Sequence, residues 1–240
     1  MEQSDLDYFK KGEAENLKYW GRLGGKPNLR GKICCDIGCG HGSLVINMAS
    51  EMHTSGGGGK VLGFDLDEKR TEFAKENLQK NFPHLVEYVS FHCADFRDAG
   101  EKFDVITSKD ACEHILYLRE MLLSVKEKLS HGGYFYTGFG PLYNSFNGGH
   151  DRFNNTLWDN KLPWGHLFIP QTKEELYAKG LNGLSLEEYK EIFHGIGMEV
   201  VSFNVNVSKN KIMKLLTLLS RIKFLREYCS CNIYAILRKH

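Results

Sequence analysis

Two rhythms of hydrophobic and polar positions alternate along this chain. Short apolar runs read as strands: "KICCDIG" (32–38), "VLGFDLD" (61–67), "LVEYVSFHCADF" (85–96), "KFDVITS" (102–108) and "GGYFYTGFG" (132–140). Between them the apolar residues shift to helical spacing. Ser43–Met52 is one such segment, Glu68–Asn81 with Phe73, Ala74 and Leu78 a second, and Cys112–Leu129 a third, with Ile115, Leu118, Leu122, Val125 and Leu129 on one stripe. The tract "HTSGGGGK" (53–60) reads as a flexible connector, since it lacks the Gly-Lys-Ser/Thr ending of a phosphate loop. Strand–helix alternation of this kind predicts an α/β fold, an open parallel sheet with helices on both faces.

The rhythm fails after the fifth predicted strand. Residues 141–183 form a long aromatic insertion containing "PLYNSFNGGHDRFNNTLWDNKLPWGHLFIP". Loops of that length in a compact domain are commonly lids or binding loops, and this one is too aromatic for disorder. Tyr143, Phe146, Phe153, Trp158 and Trp164 would either wall a substrate pocket or pack against one another. Ser185, with Glu188 three residues on, carries the capping-box signature of a further helix. A strand (Glu199–Val207), a basic amphipathic helix (Asn210–Arg226) and a last strand, "CNIYAILRK", follow. The first 22 residues place Leu6, Phe9, Leu17 and Trp20 at roughly helical spacing, which gives either a lid or a packing helix. One domain over residues 1–240 is expected.

Composition adds constraints. A formal charge of +1 leaves no overall field to attract nucleic acid, so any basic partner site must be local. The N-terminus has no apolar signal segment, and the apolar stretch 212–225 is interrupted by cations and too short to cross a bilayer. The cytoplasm is the expected location. The basic helix is expected to pack on the domain or on a partner subunit, with contact to an anionic membrane surface as the alternative. The seven cysteines form no CxxC and fit no zinc spacing. Cys34 and Cys35 are adjacent on a strand and so face opposite ways, which favours reduced core thiols and no metal site.

The chemistry concentrates at "CCDIGCGHG" (34–42), where glycines follow a strand and open a helix. Such a turn lets a ligand approach the backbone and meet helix N-terminal N–H groups. Gly38, Gly40 and Gly42 are spaced GxGxG, where a dinucleotide fingerprint needs GxGxxG. Asp36 stands just before them, unfavourable to a pyrophosphate and favourable to a cationic amine. These residues resemble the first motif of class I S-adenosylmethionine-dependent methyltransferases, and the "EH" at 113–114 resembles that of the type 11 kind. "VLGFDLD", "CADF" and "FDVITSKDACEHI" with "LSHGGYFY" resemble that family's later motifs, in order.

The resemblance implies a Rossmann-like, seven-stranded and mostly parallel sheet with an antiparallel last strand. It also implies S-adenosylmethionine as cofactor. Asp36, Gly38, Cys39 and Gly40 would then lie at the cofactor, with Asp65 on its ribose, Asp95 and Phe96 at its adenine, and Leu66 and Ser108 as further cofactor contacts. Asp67 is the expected cap of the helix that follows.

An acceptor would sit over the carboxyl ends of strands four and five in such a fold. His114 follows strand four in an "EH" pair that resembles one in many small-molecule methyltransferases, and is a candidate base. His150 and His166, in the insertion, are further candidates, the alternative being that they cross-link the loop. The expected reaction is methylation of an oxygen or nitrogen of a small-molecule acceptor by a monomer or homodimer. An RNA or protein methyltransferase is disfavoured by the near-neutral charge and by "SKDA" where an NPPY-like run would stand. A non-catalytic S-adenosylmethionine-binding scaffold is the remaining alternative.

Overall fold

A computed structural model of the chain describes residues 2–150, 162–169, 171–207 and 211–240. The elements run α1 (Gln3–Arg22), β1 (Ile33–Ile37), α2 (Ser43–Thr54), β2 (Lys60–Asp65), α3 (Glu68–Asn81), β3 (Val89–Cys93), β4 (Phe103–Lys109) and α4 (Leu118–Lys128). They continue with β5 (Leu129–Phe139), α5 (Lys173–Ala178), α6 (Leu186–Gly195), β6 (Glu199–Val205), α7 (Lys211–Leu219) and β7 (Ile233–Arg238). The described strands form one seven-stranded sheet in the order β3-β2-β1-β4-β5-β7-β6. Strands β1 to β5 pair in parallel, while β7 lies antiparallel between β5 and β6. The strand order reverses between β1 and β4. In open α/β sheets, ligands bind in the crevice at that point, beyond the carboxyl ends of the strands.

Each face of the sheet carries its own core. Cys35, Ile37, Phe64, Ile106 and Phe135 point to the face covered by α4 and α6. Cys34, Val61, Val105 and Tyr136 point to the face covered by α1, α2 and α3. Cys34 and Cys35 thus separate as strand geometry demands, and all seven cysteines are free thiols, with only Cys93 exposed.

Several element boundaries differ from the sequence expectation. The helix expected from Cys112 begins at Leu118. The insertion's Asn182 takes the carbonyls upstream: its side chain donates to Cys112 and Ile115, and its backbone N–H donates to Glu113. Carbonyls bonded in this way cannot enter a helical ladder. Strand β3 starts at Val89 because Pro83–Leu85 closes a short turn of tight helix. Helix α7 stops at Leu219, well short of Arg226. Arg221 and Ile222 donate three residues back, and Arg226 Nε donates to the Ser220 carbonyl, which ends the helix in turns. Within the insertion, α5 is a helix where only loop was expected, started by a capping box between Thr172 and Glu175. The expected capping box of Ser185 and Glu188 and the Asp67 cap are both present.

Candidate active site

The glycine turn ends β1 under tight constraints. Gly38 has φ +71°, and a side chain there would bring its Cβ within 2.8 Å of the Ala111 methyl group. Gly42 has φ +82°, and its Cβ would lie 2.6 Å from the Phe91 ring. Only glycine meets both demands at these positions. Asp65, closing β2, fastens the turn from the side: Gly40 N–H donates to its Oδ2 at 2.7 Å, and Asp67 N–H to its Oδ1 at 2.9 Å. This carboxylate is half-buried and held in one orientation, with lone pairs remaining for a ligand hydroxyl.

Two cavities meet at this turn, sharing Gly38, Arg70 and Asp110 in their walls. The first, about 330 Å³, is bordered by Asp65, Leu66, Asp95, Phe96, Ala111 and His114. Phe96 is buried edge-on to Phe64, with ring centroids 5.9 Å apart. Asp95 is gripped by Arg97, which donates Nε and Nη2 to both carboxylate oxygens. That guanidinium holds the Asp95 carboxyl below the usual carboxylate range and occupies acceptor positions that a lone aspartate would offer to a ligand amine.

The second cavity, about 220 Å³, is bordered by Asp36, Cys39, Gly40, His41 and Lys109, and on its outer side by Tyr8, Gly12 and Glu15 of α1. Asp36 is buried and accepts a 2.7 Å hydrogen bond from the Thr107 hydroxyl. Burial pushes its carboxyl up to about 7, with the Thr107 bond and the Lys109 charge opposing the rise. Lys109 donates from Nζ to the Gly12 carbonyl and to Asn16 Oδ1 at 2.6 Å, and burial lowers its pKa. A carboxylate and an ammonium in one small cavity complement both ends of a zwitterionic amino acid. The turn, the two charged groups and the half-buried Asp65 therefore fit the methionine and ribose parts of S-adenosylmethionine. Helix α1 is tied to the same turn, since His41 Nε2 lies 3.1 Å from Asp5 and its ring packs at a tilt against Tyr8, centroids 4.8 Å apart.

Ser108 does not border either cavity. Its hydroxyl is buried and donates to the Ile37 carbonyl, and of the residues just after it Asp110 and Ala111 border the cavities instead. The three candidate histidines separate. His114 and His150 meet edge to face, ring centroids 5.1 Å apart. His114 Nδ1 lies 2.7 Å from the Gly180 carbonyl and His150 Nε2 lies 2.7 Å from the Pro141 carbonyl. A carbonyl only accepts, so each of these nitrogens carries its hydrogen, and Nε2 is the basic nitrogen of a neutral His114. His166 is fully buried, bonded through Nε2 to the Tyr143 carbonyl and set against that ring. It cross-links the insertion and borders none of the cavities described here, which corrects its place among the acceptor-facing candidates.

The described aromatics of the insertion pack against their neighbours, and Phe146 also borders a cavity, the one beside Asp110. Tyr143 packs with Leu176 and Leu181, and Phe146 with Trp164 and Leu216. Phe153 and Trp158 lie outside the described residues. Among the described residues no cluster of metal-ligating side chains occurs, and no helix is long and apolar enough to cross a membrane.

Asp110, like Lys109 beside it, is a site residue that the sequence pattern did not single out. Its backbone has φ +52°, uncommon outside glycine, and its N–H is held by the Gly138 carbonyl. It borders both cavities above and a third, of about 170 Å³, walled by Arg22, Gly140, Pro141, Asn147, Met213 and Tyr234. Burial raises its carboxyl pKa, opposed by Lys109 and Arg22. A signal did exist: the residue stands just past the carboxyl end of β4, where the crevice opens.

Comparison with known proteins bears on the fold that carries this geometry. Residues 29–142 match the family model described as a methyltransferase domain. A ubiquinone biosynthesis O-methyltransferase of Neisseria meningitidis is 33% identical over 94 residues, covering 39% of this chain and 37% of that enzyme. The chain thus spans less than half the length of the curated relatives it matches. A Listeria monocytogenes structure, provisionally described as an S-adenosylmethionine-dependent methyltransferase, superposes with a TM-score of 0.61 at 20% identity, covering 96% of this chain and 99% of that one. The magnesium protoporphyrin IX methyltransferase of Synechocystis, solved with S-adenosylmethionine bound, gives 0.56 at 17% identity over 99% of this chain and 83% of that one. The fold is that of the class I S-adenosylmethionine-dependent methyltransferases. The stretch that matches the methyltransferase model, residues 29–142, has α1 before it and the insertion after it.

Proposed function

We propose that this chain transfers the methyl group of S-adenosylmethionine to an oxygen or nitrogen of a small-molecule acceptor. The observation that carries the proposal is the junction at Gly38 and Asp110. One adjoining cavity is bordered by both Asp36 and Lys109, another is edged by Asp65, and a third, small and separate, opens beside Asp110. When bound, S-adenosylmethionine supplies an activated methyl group at a sulfonium, so the protein's task is to position the acceptor and exclude water. Asp36 would hold the amino end, Lys109 the carboxylate end, Asp65 the ribose hydroxyls, and Phe96 with Asp95 the base. Cys39 and Gly40 would contribute backbone. Helix α1 would close the outer side of the amino-acid cavity as a lid.

The third cavity is the proposed acceptor seat. Its size suits a small molecule, and Arg22, whose Nη1 donates to the Tyr234 hydroxyl at 2.7 Å, sets one polar wall. The likeness to O-methyltransferases in ubiquinone biosynthesis supports an oxygen acceptor. His114, with Nδ1–H bonded to Gly180, borders the first cavity and not the third, so it would take the proton on Nε2 from an acceptor that reaches past Asp110, as the acceptor–methyl bond replaces the sulfonium C–S bond. Asp110 is the second candidate for that proton, because it alone borders all three cavities. His150 would steady the His114 ring.

Incubation with methyl-labelled S-adenosylmethionine and fractionated cell extract tests the proposal. Label is expected in the small-molecule fraction. Label confined to RNA or to protein would replace the acceptor class, and no transfer to any fraction would favour a binding scaffold.

Asp36 gives the site a pH signature. The native state keeps its proton up to about pH 7, whereas the unfolded chain releases it near pH 4, so native stability falls across that window and levels above it. The cost at pH 8 is of the order of 4 kcal/mol. Asp36→Asn is therefore expected to raise the thermal midpoint of the ligand-free protein at pH 8 and to leave it unchanged at pH 4. A ligand ammonium needs the ionised carboxylate, so wild-type affinity should weaken about tenfold for each pH unit below 7, and the Asn variant should bind weakly at every pH. Thermal denaturation and calorimetry at the two pH values check both effects.

A further inference from the structure

We infer that α7 and the turns after it form a docking surface for an anionic lipid bilayer. Leu215 and Leu218 of the helix, with Ile222 and Phe224 beyond it, are between 43% and 74% exposed. Large apolar side chains clustered on a surface mark an interaction site. Lys211, Lys214, Arg221, Lys223 and Arg226 are interleaved with them, and residues 211–226 contain no carboxylate. The whole chain carries only +1, so positive charge is concentrated here against an acidic remainder.

The opposite side of the segment is anchored. Leu216 packs with Cys229 and Cys231, and Trp164 Nε1 donates to the Tyr228 carbonyl. An anchored helix that turns leucines outward among lysines and arginines matches the interfacial mode of membrane contact. In that mode apolar side chains enter the acyl boundary and long cationic ones reach back to phosphate headgroups. A bilayer also suits the relief of the surface. A protein partner's anchor residues fill pockets, and none of the four exposed apolar residues borders any of the three cavities.

Met213, on the same helix, does border the third cavity. Resting on the acceptor seat proposed above, this places the bilayer contact beside the point of acceptor entry, suited to an acceptor that partitions into lipid.

Flotation of the full chain with phosphatidylcholine vesicles, with and without phosphatidylglycerol, tests the docking surface independently of methyl transfer. Binding is expected to the anionic vesicles only, falling as salt rises. Lys214→Ala and Lys223→Ala should each weaken it about fivefold. Leu215→Glu with Phe224→Glu should weaken it at least tenfold, while circular dichroism and S-adenosylmethionine affinity stay as in the wild type. Absence from the floating fraction at low salt overturns the inference, as does equal recovery with neutral vesicles or an unaffected glutamate variant. A dimer in sedimentation equilibrium that the glutamate variant dissociates would assign the surface to a second copy and overturn it too. A protein that binds S-adenosylmethionine but no vesicle loses the docking surface alone. One that binds vesicles without S-adenosylmethionine loses the methyl-transfer reading alone.

Discussion

Asp65→Ala is expected to weaken S-adenosylmethionine binding at least a hundredfold and to weaken the demethylated product by the same factor. Two effects add. The ribose hydroxyls would lose an ionised acceptor, and hydrogen bonds to charged groups contribute about 1.5–3 kcal/mol each. The substitution also removes the partner of Gly40 N–H and Asp67 N–H, so the glycine turn loses its lateral tie. Asp65→Asn separates these contributions. Its amide oxygen can keep one of the two backbone bonds, so an intermediate loss is expected from the Asn variant and the full loss from Ala. Calorimetry with each ligand reads this directly, and wild-type affinity in the Ala variant would remove Asp65 from the site.

The second large effect is on turnover. His114→Ala is expected to lower kcat by about 10² or more, the usual range for a lost general base, with S-adenosylmethionine affinity nearly unchanged. The wild-type rate should fall on the acid side as the imidazole takes up a proton, and that limb should vanish in the variant. Asp110→Asn is the paired control. If the Asn variant loses turnover and the Ala variant keeps it, the proton goes to Asp110. The insertion's Gly180 fixes the His114 tautomer, so displacement of residues 180–182 should produce part of the same loss.

Most of the scaffold is legible in the residue pattern because burial on both faces of a parallel sheet leaves little choice. Cys34 and Cys35 had to face opposite cores, and the glycines at 38 and 42 had to sit where Ala111 and Phe91 leave no room for a Cβ. Asp36 could be placed from the end of its strand, whereas Asp65 is placed by the resemblance of "VLGFDLD" to a family motif. Contacts made across long sequence separations were less accessible. Nothing local to residues 112–117 says that Asn182 will take their carbonyls and delay α4. Likewise, nothing around His166 distinguishes a histidine facing substrate from one buried against Tyr143. Ser108 and Asp110 show a finer limit. They lie two residues apart where β4 ends, and the left-handed backbone at Asp110 decides which of them reaches the crevice. Lys109 was hidden for a related reason, because its role in the cavity depends on α1 lying across the turn.

Titration of the wild-type chain with S-adenosylmethionine at pH 8, followed by its demethylated product, tests the cofactor site most directly. Binding of both at one site per chain is expected, with the affinity for S-adenosylmethionine falling as the pH drops below 7. Absence of binding by either ligand to the folded protein would contradict the assignment of the Gly38 junction as a methyl-donor site.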